Sequence, residues 1–429
     1  MIVVVGGGWA GCAAAYSAAL AGCRTVLLEK TDMLLGTGLV GGIVRNNGRY
    51  TAIEEVSAMG GHELVNLIDS HCRHRWLNFP GHRHAALYDV TRIEPAVRGF
   101  LLEKGVDLRL QCRITDLVKR GGRIEAVVTA GGEEIKGDLF IDATGTAGPA
   151  QNCSRFGNGC AMCVLRCPSF GPRVSLTARA GISEITAGVE WNFEAMSGSC
   201  KLEKKSLAPW LVNNLERDGV AVIPVPESIK KENLLDRKAC QQYNLKEYAD
   251  NLVLLDTGHA KLMTPYFPLE VLRAIEGFQN ARYADPYSGG RGNSVRFMAM
   301  APAAEDLRVA GAENLFCAGE KAGLLVGHTE AVVTGMLAGH NAARAIKGRK
   351  TLTLPVSTAS GDLIAWTLGG MKTREGLQKK YTFSGSVYFE RMKERGLYTT
   401  DLYAIEKRVR AEGLTGIYRE VVRRGMVKK

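Results

Sequence analysis

Three cysteines fall within the stretch NGCAMCVLRCP, residues 158–168, as Cys160-x2-Cys163-x3-Cys167 followed by Pro168. Thiolates at that spacing ahead of a proline match three ligands of a bacterial ferredoxin run, and soft sulfur donors suit iron. The place of the missing first ligand is Gly157; Cys153 is the candidate substitute, with Cys200 and Cys317 as more distant ones. Cys153, Cys160, Cys163 and Cys167 are therefore the candidate metal set, for a [4Fe-4S] cluster that passes single electrons. The same stretch also reads as a strand, on which even separations share a face. Cys163 and Cys167 would then point one way and Cys160 the other. Two thiols on one face can relay electrons as a dithiol, or one can act as a nucleophile, so Cys163 and Cys167 are candidate catalytic residues. Plain burial is the third reading, because cysteine is also a small hydrophobe. The spacing leaves all three open.

Histidines supply the next cluster. Five of the eight lie between positions 62 and 84: His62, His71, His74, His82 and His84. HCRH, residues 71–74, has helical i, i+3 spacing, and His71, Cys72 and His74 are permissible zinc ligands. Carboxylates at ligand spacing are missing beside them. The alternatives are a polar wall that binds an anionic substrate together with Arg73 and Arg83, or ordinary surface histidines.

The elements that would position such groups begin at the first residues. Ile2-Val3-Val4-Val5 is a β-branched run of the kind that forms a buried parallel strand. Gly6-Gly7-Gly8-Trp9-Ala10-Gly11 follows, a G-x-G-x-x-G turn that runs into the small-residue helix CAAAYSAALAG. Gly6 permits the tight turn, Gly8 lets a pyrophosphate approach the backbone, and Gly11 lets the helix lie close on the sheet. The helix N-terminus then faces the phosphates. A second strand, Arg24 to Leu28, ends at Glu29, where a ribose-binding carboxylate belongs. An acid there favours an unphosphorylated 2′-hydroxyl, hence FAD or NAD.

Two later stretches favour FAD. Residues 105–138 read as a β-meander of short strands broken by GG pairs, and Leu139-Phe140-Ile141-Asp142 is a buried strand ending in Ala143-Thr144-Gly145. Asn314-Leu315-Phe316-Cys317-Ala318-Gly319-Glu320 is a further strand ending at an acid that suits a ribityl hydroxyl. Gly327-His328-Thr329 then opens a second small-residue helix, whose N–H donors and dipole would face the flavin N1–C2=O edge. His328 is a candidate proton donor beside that edge. Trp9, Ala10, Lys30, Gly42 and Ile114 complete the expected cofactor contacts.

GGGWAG…LLEK, IDATG and NLFCAGEKAGLLVGHTEAVVTGMLAGHNAAR resemble the bacterial tRNA-modifying flavoproteins of the GidA (MnmG)/TrmFO-like group. The similarity continues through FPLEVLRAIEGFQNARYADPYSGGRGNSVRF and LPVSTASGDLIAW. The resemblance implies a Rossmann-type fold, bound FAD and hydride or electron transfer through flavin N5. It also brings tRNA into view as a partner. The TrmFO-type methyltransferases use a cysteine after the second strand, and residues 33–50 of this chain contain none. A small molecule or a redox partner protein is therefore the favoured partner, and an electron-transfer subunit of a larger complex is a further alternative.

The expected fold is α/β: a discontinuous FAD-binding Rossmann domain (1–150 and 300–350), an inserted α+β substrate domain (151–299) and a basic, mainly helical C-terminal segment (351–429). Within that last segment the helices are expected at TTDLYAIEKRVRAEG and LTGIYREVVRRG, joined at Gly413. The chain carries a net charge of +11. The C-terminal segment holds 15 Lys and Arg against 8 Asp and Glu, which reads either as a polyanion surface or as the solvated face of helices packed on the body. No apolar run reaches the roughly 18 residues of a membrane span, and no leader is recognisable. A cytoplasmic protein is therefore expected, and its eleven cysteines, an odd number, do not read as a disulfide scaffold; an oligomer is compatible with this reading.

Overall fold

The computed structural model of the chain describes residues 1–145, 169–187, 200–230, 245–264, 267–284 and 298–423. At its centre is a five-stranded parallel sheet formed by β1 (Ile2–Val5), β2 (Thr25–Leu28), β3 (Asp107–Arg109), β4 (Leu139–Asp142) and β5 (Leu315–Cys317). The spatial order is β5-β4-β1-β2-β3, with Ile2 in register with both Thr25 and Leu139. All residues of β1, β2 and β4 are buried, as a sheet covered on both faces requires. The strand order reverses between β1 and β4, which is where an open α/β sheet binds its ligand.

Two helices lie together against this sheet: α1 (Trp9–Leu20) and α3 (His328–Ile346). They approach closely because small residues face each other. A Cβ at Gly335 would overlap the Ala10 carbonyl, one at Gly339 would overlap that of Ala14, and Ser17 Oγ donates to Met336 O at 2.7 Å. Helix α2 (Gly48–Val56) packs beside α3. Strands 114–120, 123–129 and 134–136 form the antiparallel meander that the sequence suggests. Asn314 secures it to the main sheet, accepting from Ile124 N and donating to the carbonyls of Ile124 and Asp138.

A second, four-stranded antiparallel sheet (200–202, 220–224, 251–256, 260–262) carries the helix Pro209–Asp218 and has its own core, centred on Leu202, Leu211, Leu215, Leu254, Leu262 and Phe278. A hairpin of strands Cys72–Phe79 and His82–Tyr88 leans on it through Phe79, Ala85 and Leu87, which meet Val253, Leu255 and Met263. The hairpin corrects the helical spacing suggested for HCRH. His71 only closes the helix His62–Ser70, and Cys72 and His74 stand on a strand whose register is broken by irregularities.

Asp256 fastens hairpin to sheet. Its carboxylate lies 3.0 Å from Arg73 Nε, 3.0 Å from His74 Nε2 and 2.9 Å from Lys204 Nζ. Burial alone would raise its pKa; the hydrogen bonds from His74 and Lys204 outweigh burial and hold it well below the ordinary carboxylate value. A depressed carboxyl stabilises the fold above its unfolded-state pKa of about 4 and loses that contribution as pH falls through the folded-state value. Asp256→Asn is expected to cost about 1.5–3 kcal/mol at pH 7. The gap between wild-type and variant melting temperatures should close as pH falls below about 4; a gap that stays constant down to pH 3 would contradict this role.

The C-terminal segment folds against the body. It contains helices Ala359–Gly370, Ser386–Glu394 and Leu402–Ala411. Only the last was expected as a helix from the sequence. Beyond Gly413 and Gly416, both in the left-handed region, residues 417–419 make one 3-10 turn rather than a second helix. Much of the basic charge is paired: Arg391 is bidentate to Asp362 at 2.8 and 2.9 Å, and Arg408 lies 3.5 Å from buried Glu55. Among the described residues no helix is long and apolar enough to cross a membrane.

Candidate functional site

The C-terminal edge of the central sheet is built from turns that only glycine can make. Gly6 has φ +103°, and a Cβ there would overlap the Ala143 carbonyl. One at Gly11 would overlap the Gly6 carbonyl. The β1 turn and the β4 turn are thus in direct contact. Gly8 differs, because a Cβ at that position meets nothing within 4 Å among the described residues. Glu29, at the end of β2, accepts from Gly7 N at 2.7 Å and from Thr31 N at 2.9 Å. Its carboxylate is therefore fixed beside the glycine turn.

The turn after β5 comes to the same place. Gly319, at φ +67°, would bring a Cβ to 2.8 Å from the Ala10 side chain, and its N–H donates to Thr334 Oγ1 at 2.9 Å. Lys321, just beyond, is buried, ion-paired to Glu184 and bonded to Ala299 O at 2.8 Å. Asp142 accepts from Thr144 Oγ1 and Thr177 Oγ1, both at 2.7 Å, and shapes the start of the Ala143-Thr144-Gly145 turn.

Helix α3 begins at Gly327, φ +147°, without a side-chain cap. An extensive buried ion pair sits in its first turn. Glu330 receives Arg49 Nε at 3.0 Å, Thr382 Oγ1 at 2.7 Å and Phe383 N at 2.9 Å; Arg49 also reaches Asn46 Oδ1, Val326 O and Thr382 Oγ1. His328 belongs to a second cluster. The Tyr88 hydroxyl donates to Gly38 O at 2.6 Å, receives Trp9 Nε1–H at 3.1 Å and lies 2.9 Å from His328 Nδ1. Burial raises the Tyr88 phenol well above its ordinary pKa, so it keeps its single proton, which goes to Gly38. With the phenol proton directed to Gly38 O, His328 Nδ1 is placed to donate into the phenol oxygen. Gly41 permits the ring to sit against it, where any Cβ would overlap.

The structure therefore brings Gly6, Gly8, Gly11, Glu29, Ala143, Thr144, Gly145, Gly319 and Glu320 to the ends of the sheet strands. Gly327, His328 and Thr329 stand at the start of the helix beside them. Trp9 and Ala10 serve chiefly in packing, through Tyr88 and Gly319. Lys30 donates to Gly171 O at 2.9 Å, Gly42 at φ +74° passes Thr257, and Ile114 is a buried residue of the meander. Arg49, Glu330, Tyr88 and Lys321 escaped the sequence reading, and each depends on a partner far away in the chain. The only local signal was a charge in an otherwise small or apolar run, as at Glu330.

Cys153, Cys160, Cys163 and Cys167 lie outside the described residues. Among the described residues no cluster of three or more His, Cys, Asp and Glu could hold a metal, including around His71, Cys72 and His74. The six described cysteines are free thiols, all with pKa raised by burial, Cys72 and Cys200 to about 12.

Three local features fit a dinucleotide with a flavin ring. Open space lies at Gly8, at the start of the uncapped helix α1. The Thr329 hydroxyl, in the first turn of α3, is buried and has no hydrogen-bond partner among the described residues. Glu29 stands beside the glycine turn, where a ribose would lie. A family profile described as "Glucose inhibited division protein A" matches residues 1–243 and 251–350. The chain belongs to the GidA family. This is a family of FAD-dependent proteins. The "tRNA uridine 5-carboxymethylaminomethyl modification enzyme MnmG" of Geobacter sulfurreducens is 30% identical over 165 residues, covering 34% of this chain and 24% of that protein. Its namesake from Syntrophomonas wolfei is 23% identical over 411 residues, covering 83% and 64%. The chain thus spans less than two thirds of the length of these GidA-family relatives. Aquifex aeolicus GidA in its form II crystal has the same fold, with a TM-score of 0.63 at 17% identity over 96% of this chain and 76% of that one.

Proposed function

We propose that this chain is an FAD-dependent enzyme that acts on tRNA. The observation that carries the tRNA half is the extent of the family match. It runs from residue 1 to 243 and resumes at 251, so it includes most of the inserted region, which a nucleotide-binding fold alone does not require. The relatives from Geobacter sulfurreducens and Syntrophomonas wolfei are named as tRNA uridine modification enzymes. This reverses the order of partners expected from the sequence, where a small molecule or a redox protein came first. Nothing among the described residues supports the cysteine-cluster and electron-transfer readings.

In this reading the start of α1 and the open space at Gly8 hold the pyrophosphate, through backbone N–H groups and the helix dipole. Glu29 accepts from the ribose, and Glu320 stands at the ribityl chain. Thr329 and the first N–H groups of α3 face the edge of the ring. FAD supplies hydride transfer at its N5 when bound. His328, held against the Tyr88 hydroxyl through Nδ1, stands at the start of α3 as the candidate proton donor beside the ring. Arg49 and Glu330 fix the turn from which His328 projects.

Filter binding of the FAD-loaded chain to unmodified tRNA across a salt series tests the reading. Phosphate contacts give a log–log slope of roughly −0.7 to −0.9 for each contact. A saturable curve with a slope of several units is expected. Absence of saturable binding at low salt would remove tRNA and return the substrate to the small-molecule class.

A further inference from the structure

A cleft of ≈ 910 Å³ opens between the hairpin and the C-terminal segment, and it shares no residue with the dinucleotide site. That volume is within the ordinary range for small-molecule sites. Its walls include Asn78, Arg83 and His84 on one side and Phe389, Lys393 and Tyr398 on the other; none of its eleven lining residues is acidic. It therefore joins cationic groups to aromatic faces, the combination that suits an anion bearing a planar ring.

The walls are held in place. Asn47, in the floor, accepts from Arg83 N at 2.9 Å and donates to Gly81 O and Ser384 O at 2.9 and 2.7 Å, so one side chain ties the hairpin turn to the C-terminal segment. Phe389 and Tyr398 meet edge to face at 5.1 Å, and Lys393 sits 5.0 Å over the Phe389 ring while pairing with Glu390 at 2.7 Å. Trp76 is 59% exposed and lies between Tyr50, tilted at 5.2 Å, and His84, edge to face at 5.7 Å. Backbone strain gathers on the same segments. Eight non-glycine residues of the described chain have positive φ, and five of them, Arg45, Asn47, Trp76, His84 and Ser386, belong to these walls or adjoin them. A left-handed conformation strains an ordinary side chain, and such residues concentrate at ligand sites.

We propose that this cleft is a second binding site, for a nucleoside monophosphate-like ligand. Arg83 and Lys393 take the phosphate, and the base lies against Tyr398. The recognition is separate from flavin binding and does not depend on the tRNA reading.

Equilibrium dialysis of the FAD-saturated chain against AMP, adenosine and inorganic phosphate provides the test. Saturation with FAD keeps AMP out of the glycine turn. AMP is expected to fill one site and to bind at least about tenfold more tightly than adenosine or phosphate alone. Arg83→Ala and Tyr398→Leu should each weaken AMP binding by about tenfold or more while leaving bound flavin unchanged, and Arg83→Ala should leave the melting temperature unchanged as well. Phosphate binding as tightly as AMP, binding unaffected by either substitution, or no saturable binding would each overturn the proposal.

Discussion

Arg49→Met is expected to destabilise the chain by about 3–5 kcal/mol, because it leaves the Glu330 carboxylate buried without its cation. Arg49 and Glu330 have side-chain exposures of 4% and 0%, so water cannot replace the lost partner. Thr382 Oγ1 and Phe383 N remain as donors, but neutral donors do not cancel a buried charge. The double variant Arg49→Met/Glu330→Met removes both charges and should recover much of the loss, since a buried pair contributes less net stability than its disruption costs. Urea unfolding of the four proteins in the cycle measures the coupling. A single-variant loss below about 1 kcal/mol would mean that the pair is solvated in practice. Because Arg49 also binds Val326 O, just before the Gly327 turn, flavin affinity should fall in the single variant even where it remains folded.

Gly8→Ala and Gly11→Val should fail in different ways, and the contrast carries more information than either result alone. A Cβ at Gly11 overlaps the Gly6 carbonyl, and Gly6 cannot give way because it is itself at φ +103° against Ala143. Helix α1 must lift from the sheet, which costs about 1–3 kcal/mol or more by overpacking and loses the cofactor along with the packing. A methyl group at Gly8 meets no atom of the described residues within 4 Å. The apoprotein should therefore keep its stability to within about 1 kcal/mol, the scale of an N-cap change. If the pyrophosphate fills that space, FAD affinity should still fall on the order of 100-fold, or about 2.7 kcal/mol. Calorimetric melting of the apoproteins together with FAD titration separates the two effects. Normal FAD affinity in folded Gly8→Ala would place the phosphates elsewhere.

The parts of this architecture that were legible are those whose signals are local. Ile2–Val5 announces a buried strand through four consecutive apolar residues. Gly6 and Gly11 announce a turn because a side chain at either would strike backbone, with Gly8 completing the spacing, and the meander is punctuated by its GG pairs. The hairpin was less readable. Cys72–Phe79 is a mostly polar strand with register irregularities and positive φ at Trp76, and its partner strand has positive φ at His84, so the period of two is broken where it would need to show. The stretch YREVVRRG carries a helical pattern, yet Gly416 at φ +69° and the burial of Tyr418 against His340 limit it to one turn. The ion pairs Arg49–Glu330 and Lys321–Glu184 could not be read at all. Their partners lie 281 and 137 residues apart, and only the folded chain reveals that the charges meet.

The FAD-dependent reading of the sheet-end site requires the Gly6 turn and the Gly319 turn, which meet at Ala10, to hold one flavin nucleotide between them. The visible absorption spectrum of the purified chain, quantified against protein concentration after incubation with FAD, tests this most directly. About one bound FAD per chain, lost in Gly8→Ala without unfolding, is the expected result. A colourless protein that takes up no added FAD while remaining folded would contradict it.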